Sequence, residues 1–174
     1  MRSICLATLV GSLLVSLALS VVAADRPNII IIYTDDQGFG DASCLNSDSG
    51  FQTPNLDRLA KEGVVFTNAH SPDTVCTPSR YGLLTGRYCW RTVKKTGVLN
   101  AEGPCLIKND RMTIASLLRG QGYDTAMVGK WHLGMQFPAE PGSRDWSKPV
   151  TDMPLDKGFD YFYGVPASLN YGIL

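Results

Sequence analysis

From residue 26 onward the chain alternates between short continuous apolar runs and segments whose apolar residues recur every three or four positions. Residues 28–34, NIIIIYT, form an uninterrupted β-branched and aromatic run. That pattern predicts a strand buried on both faces of a parallel sheet. It ends in Asp35-Asp36-Gln37-Gly38, ahead of a loop rich in Gly, Ser, Asn and Asp. Thr53 then suits a helix N-cap and Pro54 the first helical position, where a missing N–H costs nothing. Leu56, Leu59 and Ala60 share one helical face, Gly63 supplies the stop, and residues 64–68 read as a second strand. The unit recurs further on. Thr113 is placed as an N-cap, with Met112 and Leu117 spaced for a hydrophobic staple. Ile114, Leu117 and Leu118 give the apolar face, Gly120 and Gly122 end the helix, and residues 123–128 predict a third strand. Residues 134–154 read as a surface loop. The aromatic FDYFYG, residues 159–164, is expected to pack back onto the domain.

This order predicts an α/β fold with a mainly parallel sheet flanked by helices. Ligands of such sheets bind beyond the carboxyl ends of the strands. Asp35 and Asp36 follow the first predicted strand, His70 and the loop to Cys76 the second, and Lys130 and His132 the third. Adjacent carboxylates such as Asp35 and Asp36 repel unless a cation or hydrogen-bond donors compensate. Their oxygens favour a hard ion, Ca²⁺ or Mg²⁺, although Asp-Asp-Gln-Gly also has the composition of a solvated turn. Lys130 and His132, two apart, point to one side of an extended chain. A lysine there can bind an anion and a histidine can move a proton near neutrality; the bland alternative is a surface turn with Trp131 packed inward. Around Cys76, Pro78 and the run 79–85 predict a helix starting just after the cysteine. A helix N-terminus favours anions and lowers a thiol's pKa, and Arg80 lies about one turn in. A buried or disulfide-bonded cysteine is the alternative.

Composition narrows the partners. The chain has 174 residues, with 16 Lys and Arg against 16 Asp and Glu. The length suits about one domain, and the balanced charge offers no basic stripe for nucleic acid. Met1-Arg2-Ser3, an apolar run to Val22 and the small residues Ala23-Ala24 predict a signal peptide over residues 1–24 and a mature domain over 25–174. An uncleaved anchor is the alternative reading. Export implies a periplasmic, secreted or lysosome-like location, with no membrane attachment after cleavage, and an oxidising compartment. The mature chain carries Cys44, Cys76, Cys89 and Cys105; Cys89 with Cys105 is one possible disulfide.

Three stretches go further together: PNIIIIYTDDQGFGD (27–41), CTPSRYGLLTGR (76–87) and GYDTAMVGKWHLG (122–134). In this order, and over essentially all of residues 25–174, the chain resembles the sulfatase family of the alkaline-phosphatase-like superfamily. The resemblance implies a sulfuric ester hydrolase whose Cys76 is converted to Cα-formylglycine by a separate formylglycine-generating enzyme that reads C-T-P-S-R. The hydrated aldehyde would be the nucleophile. Asp35, Asp36 and the modified residue 76 would ligate Ca²⁺, preferred over Mg²⁺. Arg80 would steady residue 76, Lys130 would bridge it to the sulfate, His132 would hydrogen-bond the hydrate, and Ser168 would lie near the sulfate. The substrate would be an aryl or carbohydrate sulfate ester. Members of the family are longer. Their second pair of metal ligands, a leaving-group His and another sulfate-binding Lys lie downstream, so the chain reads as an N-terminal part, expected to be inactive alone. Two other readings share these residues: a phosphatase or phosphonate hydrolase with the same nucleophile, and a non-catalytic calcium- or carbohydrate-binding relative.

Overall fold

The computed structural model describes residues 26–100, 103–138, 145 and 147–168. The expected signal peptide lies outside the described residues, as do residues 139–144 and 146 of the predicted surface loop. No described helix is long and apolar enough to cross a membrane. The chain divides into two compact units, Met1–Gln37 and Gly38–Leu174.

In the first unit the predicted strand over residues 28–34 does not form. Ile30 is 84% exposed and Ile32 75% exposed. A strand buried on both faces needs ladder partners and covering layers, and no ladder among the described residues includes this run. The β-branched composition specifies an extended preference; pairing has to come from elsewhere.

Among its described residues the second unit holds three helices and two strands: α1 (Pro54–Glu62), α2 (Cys76–Thr85), α3 (Ile114–Gly120), β1 (Ala126–Lys130) and β2 (Tyr161–Val165). Short 3-10 turns lie at Phe39–Asp41, Cys89–Arg91 and Pro154–Lys157. α1 starts and stops where the sequence predicts, at Pro54 after Thr53 and before Gly63. Thr53 does not cap it through its side chain, however. Its Oγ1 donates to Asp57 Oδ1 at 3.0 Å and accepts from the Ser43 amide at 2.9 Å, tying the helix to the preceding loop. Leu56 and Leu59 remain exposed, and residues 64–68 form a turn-containing connection with an exposed Phe66 in place of the predicted second strand. At α3 the cap is made as expected. Thr113 Oγ1 accepts from Ser116 N at 3.0 Å, and Ser116 Oγ accepts from Thr113 N at 2.9 Å. Met112 and Leu117, the expected staple pair, are both exposed.

The third strand forms, but over Ala126–Lys130, displaced toward the C-terminus from the predicted 123–128. Thr125 explains the start. Its amide and hydroxyl both donate to Asp160 Oδ2, at 2.9 and 2.8 Å, and its carbonyl accepts from the amides of Asp160 and Tyr161. This lock sets the register, with Ala126 opposite Tyr161 and Lys130 opposite Val165 in a parallel pair. The FDYFYG segment is thus itself a strand, more than a loop packing back. One residue before the end of the pair Gly129 faces Gly164. A Cβ on Gly164 would drive into the Gly129 backbone, so the close approach requires glycine there. The core lies between α2, the sheet's end and the chain that follows it: Tyr81, Cys89, Leu99, Leu106, Ile107, Trp131 and Leu133 are buried together. The fold is α/β, with a small parallel sheet and flanking helices.

Candidate active site

Parallel pairing sends the chain out of β1 and β2 at the same edge of the sheet, and α2 brings its N-terminus to that edge. Trp131 N donates to Val165 O at 2.9 Å and His132 N to Pro166 O at 3.0 Å, so the two strand exits stay joined past the ladder. Trp131 is fully buried, with Nε1 donating to Gly134 O at 2.8 Å; the sequence reading placed it inward. His132 follows with a φ of 53°, a left-handed conformation uncommon for a residue with a Cβ. The expectation of extended backbone through His132 therefore fails at this one residue. The backbone turns there, and the ring swings beneath the end of β1, where it is 2% exposed.

The helix predicted to start just after Cys76 starts at Cys76 itself, with Val75 as the extended residue before it. Pro78 sits in the first turn, where no intrahelical amide bond is lost. Ser79 Oγ donates to Asp73 O at 2.8 Å and accepts from Ser71 Oγ at 3.1 Å, fixing the entry loop to the helix. Gly86 closes α2 in the left-handed region at φ 65°, its amide bonded to Gly82 O.

The decisive contact spans 56 residues of chain. Cys76 Sγ lies 3.1 Å from His132 Nδ1. The other ring nitrogen, Nε2, lies 3.0 Å from the backbone carbonyl of Leu99. Arg80, one turn along α2 from Cys76, donates from Nη1 to Lys130 O at 2.6 Å. Cys76, Arg80, Lys130 and His132, which the sequence puts on two distant motifs, thus meet at the N-terminus of α2 and the carboxyl end of β1. Ser168 lies shortly after β2, half-buried. His70 is not drawn in; it is exposed, its Nε2 hydrogen-bonded to Asn68 Oδ1 at 2.8 Å.

Asp35 and Asp36 belong to the first unit and are exposed, Asp36 at φ 61°. Among the described residues no group of three or more His, Cys, Asp or Glu is placed to hold a metal ion. The two carboxylates fit a hard dication in kind, and fall short of the about six to eight oxygens that Ca²⁺ takes. The four described cysteines, Cys44, Cys76, Cys89 and Cys105, are free thiols, so the Cys89–Cys105 disulfide is not formed. Burial pushes the Cys89 and Cys105 thiols above their ordinary values.

Two participants escaped the sequence reading. Thr77, fully buried, donates from Oγ1 to His132 O at 3.1 Å and accepts from Leu99 N at the same distance. Leu99 contributes through its peptide alone, and a backbone carbonyl leaves no signature in a sequence. Thr77 was visible only as a small polar residue beside Cys76.

A family model described as Sulfatase matches residues 27–171. The chain is 42% identical over 147 residues to an N-acetylgalactosamine-6-O-sulfatase of Bacteroides thetaiotaomicron, across 84% of this chain and 28% of that protein. It is 39% identical over 161 residues to arylsulfatase A of Homo sapiens, across 92% of this chain and 29% of that protein. Among solved structures, one described under metabolism of multiple glycosaminoglycans by Bacteroides thetaiotaomicron superposes with a TM-score of 0.74 at 40% identity, over 86% of this chain and 30% of that one. Another, Ps i-CgsB in complex with k-i-k-neocarrahexaose, gives a TM-score of 0.60 at 32% identity, over 77% of this chain and 27% of that one. The chain spans under a third of the length of these relatives.

Proposed function

The chain belongs to the sulfatase family, and we propose that the protein hydrolyses sulfate esters with residue 76, matured from cysteine to Cα-formylglycine, as its nucleophile. The observation that carries this reading is the 3.1 Å approach of Cys76 Sγ to His132 Nδ1 at the head of α2. Residue 76 fits the modification. Its side chain is half-buried, so a maturing enzyme and a substrate can reach it, and Sγ stands where an oxygen of the modified residue would face the imidazole.

Converted and hydrated, residue 76 would supply one hydroxyl oxygen to the ester sulfur, the S–O bond to the alcohol breaking and the alcohol leaving with a proton. A second hydroxyl would lose its proton and re-form the aldehyde as the C–O bond to sulfate breaks. The chain's own residues serve those steps. His132 accepts the second hydroxyl's proton at Nδ1, as a positioned base. Lys130, at the carboxyl end of β1, offers an ammonium to the sulfate oxygens and offsets the charge that repels a nucleophile. Arg80 holds the Lys130 peptide against α2 and keeps the two motifs in register. The N-terminus of α2 adds its partial positive charge on the same side. Ser168 would donate a hydroxyl to the sulfate. Asp35 and Asp36 would hold a Ca²⁺, whose charge further favours an anionic ester.

The test is mass spectrometry of the peptide spanning residue 76 from natively expressed protein, alongside assays of an aryl sulfate and the matching aryl phosphate. A thiol converted to aldehyde, with turnover of the sulfate, is the expected result. An unmodified or disulfide-bonded Cys76, or hydrolysis of the phosphate alone, would overturn it.

A further inference from the structure

The ring of His132 is held by an arrangement that also fixes where its proton sits. Nε2 lies 3.0 Å from Leu99 O, and a backbone carbonyl can only accept. The neutral imidazole therefore carries its hydrogen on Nε2, and Nδ1, 3.1 Å from the side chain of residue 76, is left with a bare lone pair. Thr77 holds the same residue, Leu99, by its N–H. Its hydroxyl has one proton and two lone pairs. The proton goes to His132 O and a lone pair receives Leu99 N–H, both at 3.1 Å. Thr77 thus joins the backbone N–H of Leu99 on one side to the backbone carbonyl of His132 on the other. His132 closes the ring of bonds by donating from Nε2 to Leu99 O. All of this lies in the interior: Thr77 is 0% exposed, His132 2% and Leu99 8%.

We infer that Thr77 is a positioning residue: by bonding the backbones of both Leu99 and His132 it keeps Nε2 against the Leu99 carbonyl, holds His132 in the Nε2–H tautomer and aims the bare Nδ1 at residue 76. The inference rests on the sulfatase reading for its catalytic consequence, since the hydrated residue 76 of that reading gives Nδ1 a hydroxyl proton to accept. The tautomer itself is a property of the chain whatever it catalyses. The alternative tautomer would aim an N–H at residue 76 and leave Nε2 facing a carbonyl with no hydrogen between them. That arrangement is disfavoured by a buried lost hydrogen bond. A threonine beside the nucleophile therefore does more than extend a recognition motif.

The chain has two histidines, His70 and His132, so the exposed His70 can be removed to leave one imidazole signal. The experiment is ¹⁵N NMR of the full chain carrying His70→Gln, at a pH where imidazole is neutral, compared with Thr77→Val and Thr77→Ser on the same background. The expected result is a single Nε2–H tautomer in the parent. In Thr77→Val, which keeps the shape and loses both bonds, the Nδ1–H population should rise about two- to tenfold, the change that one neutral hydrogen bond brings. Thr77→Ser should restore the parent pattern. In active protein Thr77→Val should lower kcat and leave KM within about twofold, because ground-state binding does not use Nδ1. A proton found on Nδ1 in the parent would overturn the inference without any variant. So would an unchanged tautomer ratio in Thr77→Val. The expected tautomer pattern together with no sulfate-ester turnover would sink the proposed reaction while upholding the positioning role.

Discussion

Arg80 Nη1 donates to the backbone carbonyl of Lys130 at 2.6 Å, tying the second turn of α2 to the last residue of β1. A guanidinium presents planar, directed donors, and an ammonium on a shorter reach does not. Arg80→Ala is expected to cost about 1.5–3 kcal/mol, the range for a hydrogen bond from a charged group, toward its lower end because Arg80 is only half-buried. Arg80→Lys should recover less than half of the loss. Urea unfolding midpoints check both. Should Arg80→Lys match the parent in stability and in sulfate-ester turnover, charge alone would be at work and the directed bond would not matter.

His132 sits at φ 53° and is buried, so a careless replacement would confuse lost chemistry with backbone strain. Asparagine tolerates the left-handed region better than most residues, which makes His132→Asn the informative change. Loss of a positioned base typically lowers turnover by about a hundred- to ten-thousandfold. Here the loss should fall on the second half of the cycle. Pre-steady-state assays should show a burst of released alcohol, about one per protein molecule, and then near arrest. Uniform slowing with no burst would place His132 in the first half of the cycle instead.

The candidate site was more legible than the sheet, and the reason is physical. Cys76, Arg80, Lys130 and His132 are read from side-chain chemistry clustered in two short segments, and the fold had only to bring those segments together. Helix starts at Pro54 and after Thr113 were also readable, because the fixed φ of a first-turn proline and the Thr113 cap are both local signals. Strand pairing is not local. Residues 28–34 and 64–68 have strand composition yet stay outside the described sheet, while 161–165, read merely as an aromatic segment, supplies the partner of β1. The left-handed turn at His132 and the Leu99 carbonyl were hidden for a related reason. One is a backbone conformation imposed by bonds to Pro166 and Thr77, the other a peptide group common to every residue.

Cys89 and Cys105 are candidates for a disulfide if the chain is exported as its sequence predicts, but each is held as a separate thiol. Cys89 is nearly buried in the core, and Cys105 is half-buried, its Sγ donating to Ile107 O at 3.6 Å. Burial is the leading cause of the upward shift of both thiols, which leaves little thiolate to react at neutral pH. Timed alkylation with mass spectrometry should label the exposed Cys44 first and Cys89 and Cys105 last. Rapid labelling of Cys89 or Cys105, or a bridge between them in oxidised protein, would contradict the arrangement of the core.

Asp160 offers a test by acid. Its carboxylate is held below the ordinary 3.8, chiefly by the Thr125 amide, then by the Thr125 hydroxyl, with Arg119 contributing at 3.6 Å. The folded chain therefore keeps Asp160 ionised to lower pH than the unfolded chain does. A group of this kind contributes its stability in full above the unfolded value and loses it as pH falls through the folded value. Asp160→Asn should be less stable than the parent near neutrality, because Thr125 loses a charged acceptor at the point where the β1–β2 register is set. The gap should narrow as pH drops below about 3.8, where the parent carboxyl takes up its own proton. Urea midpoints for both proteins across that range give the two curves. Parallel curves down to the lowest pH would mean that the ionised carboxylate is not what holds β1 and β2 in register, and the register would then have to rest on the ladder and on the Thr125 hydroxyl donating instead to Gly158 O, 2.7 Å away.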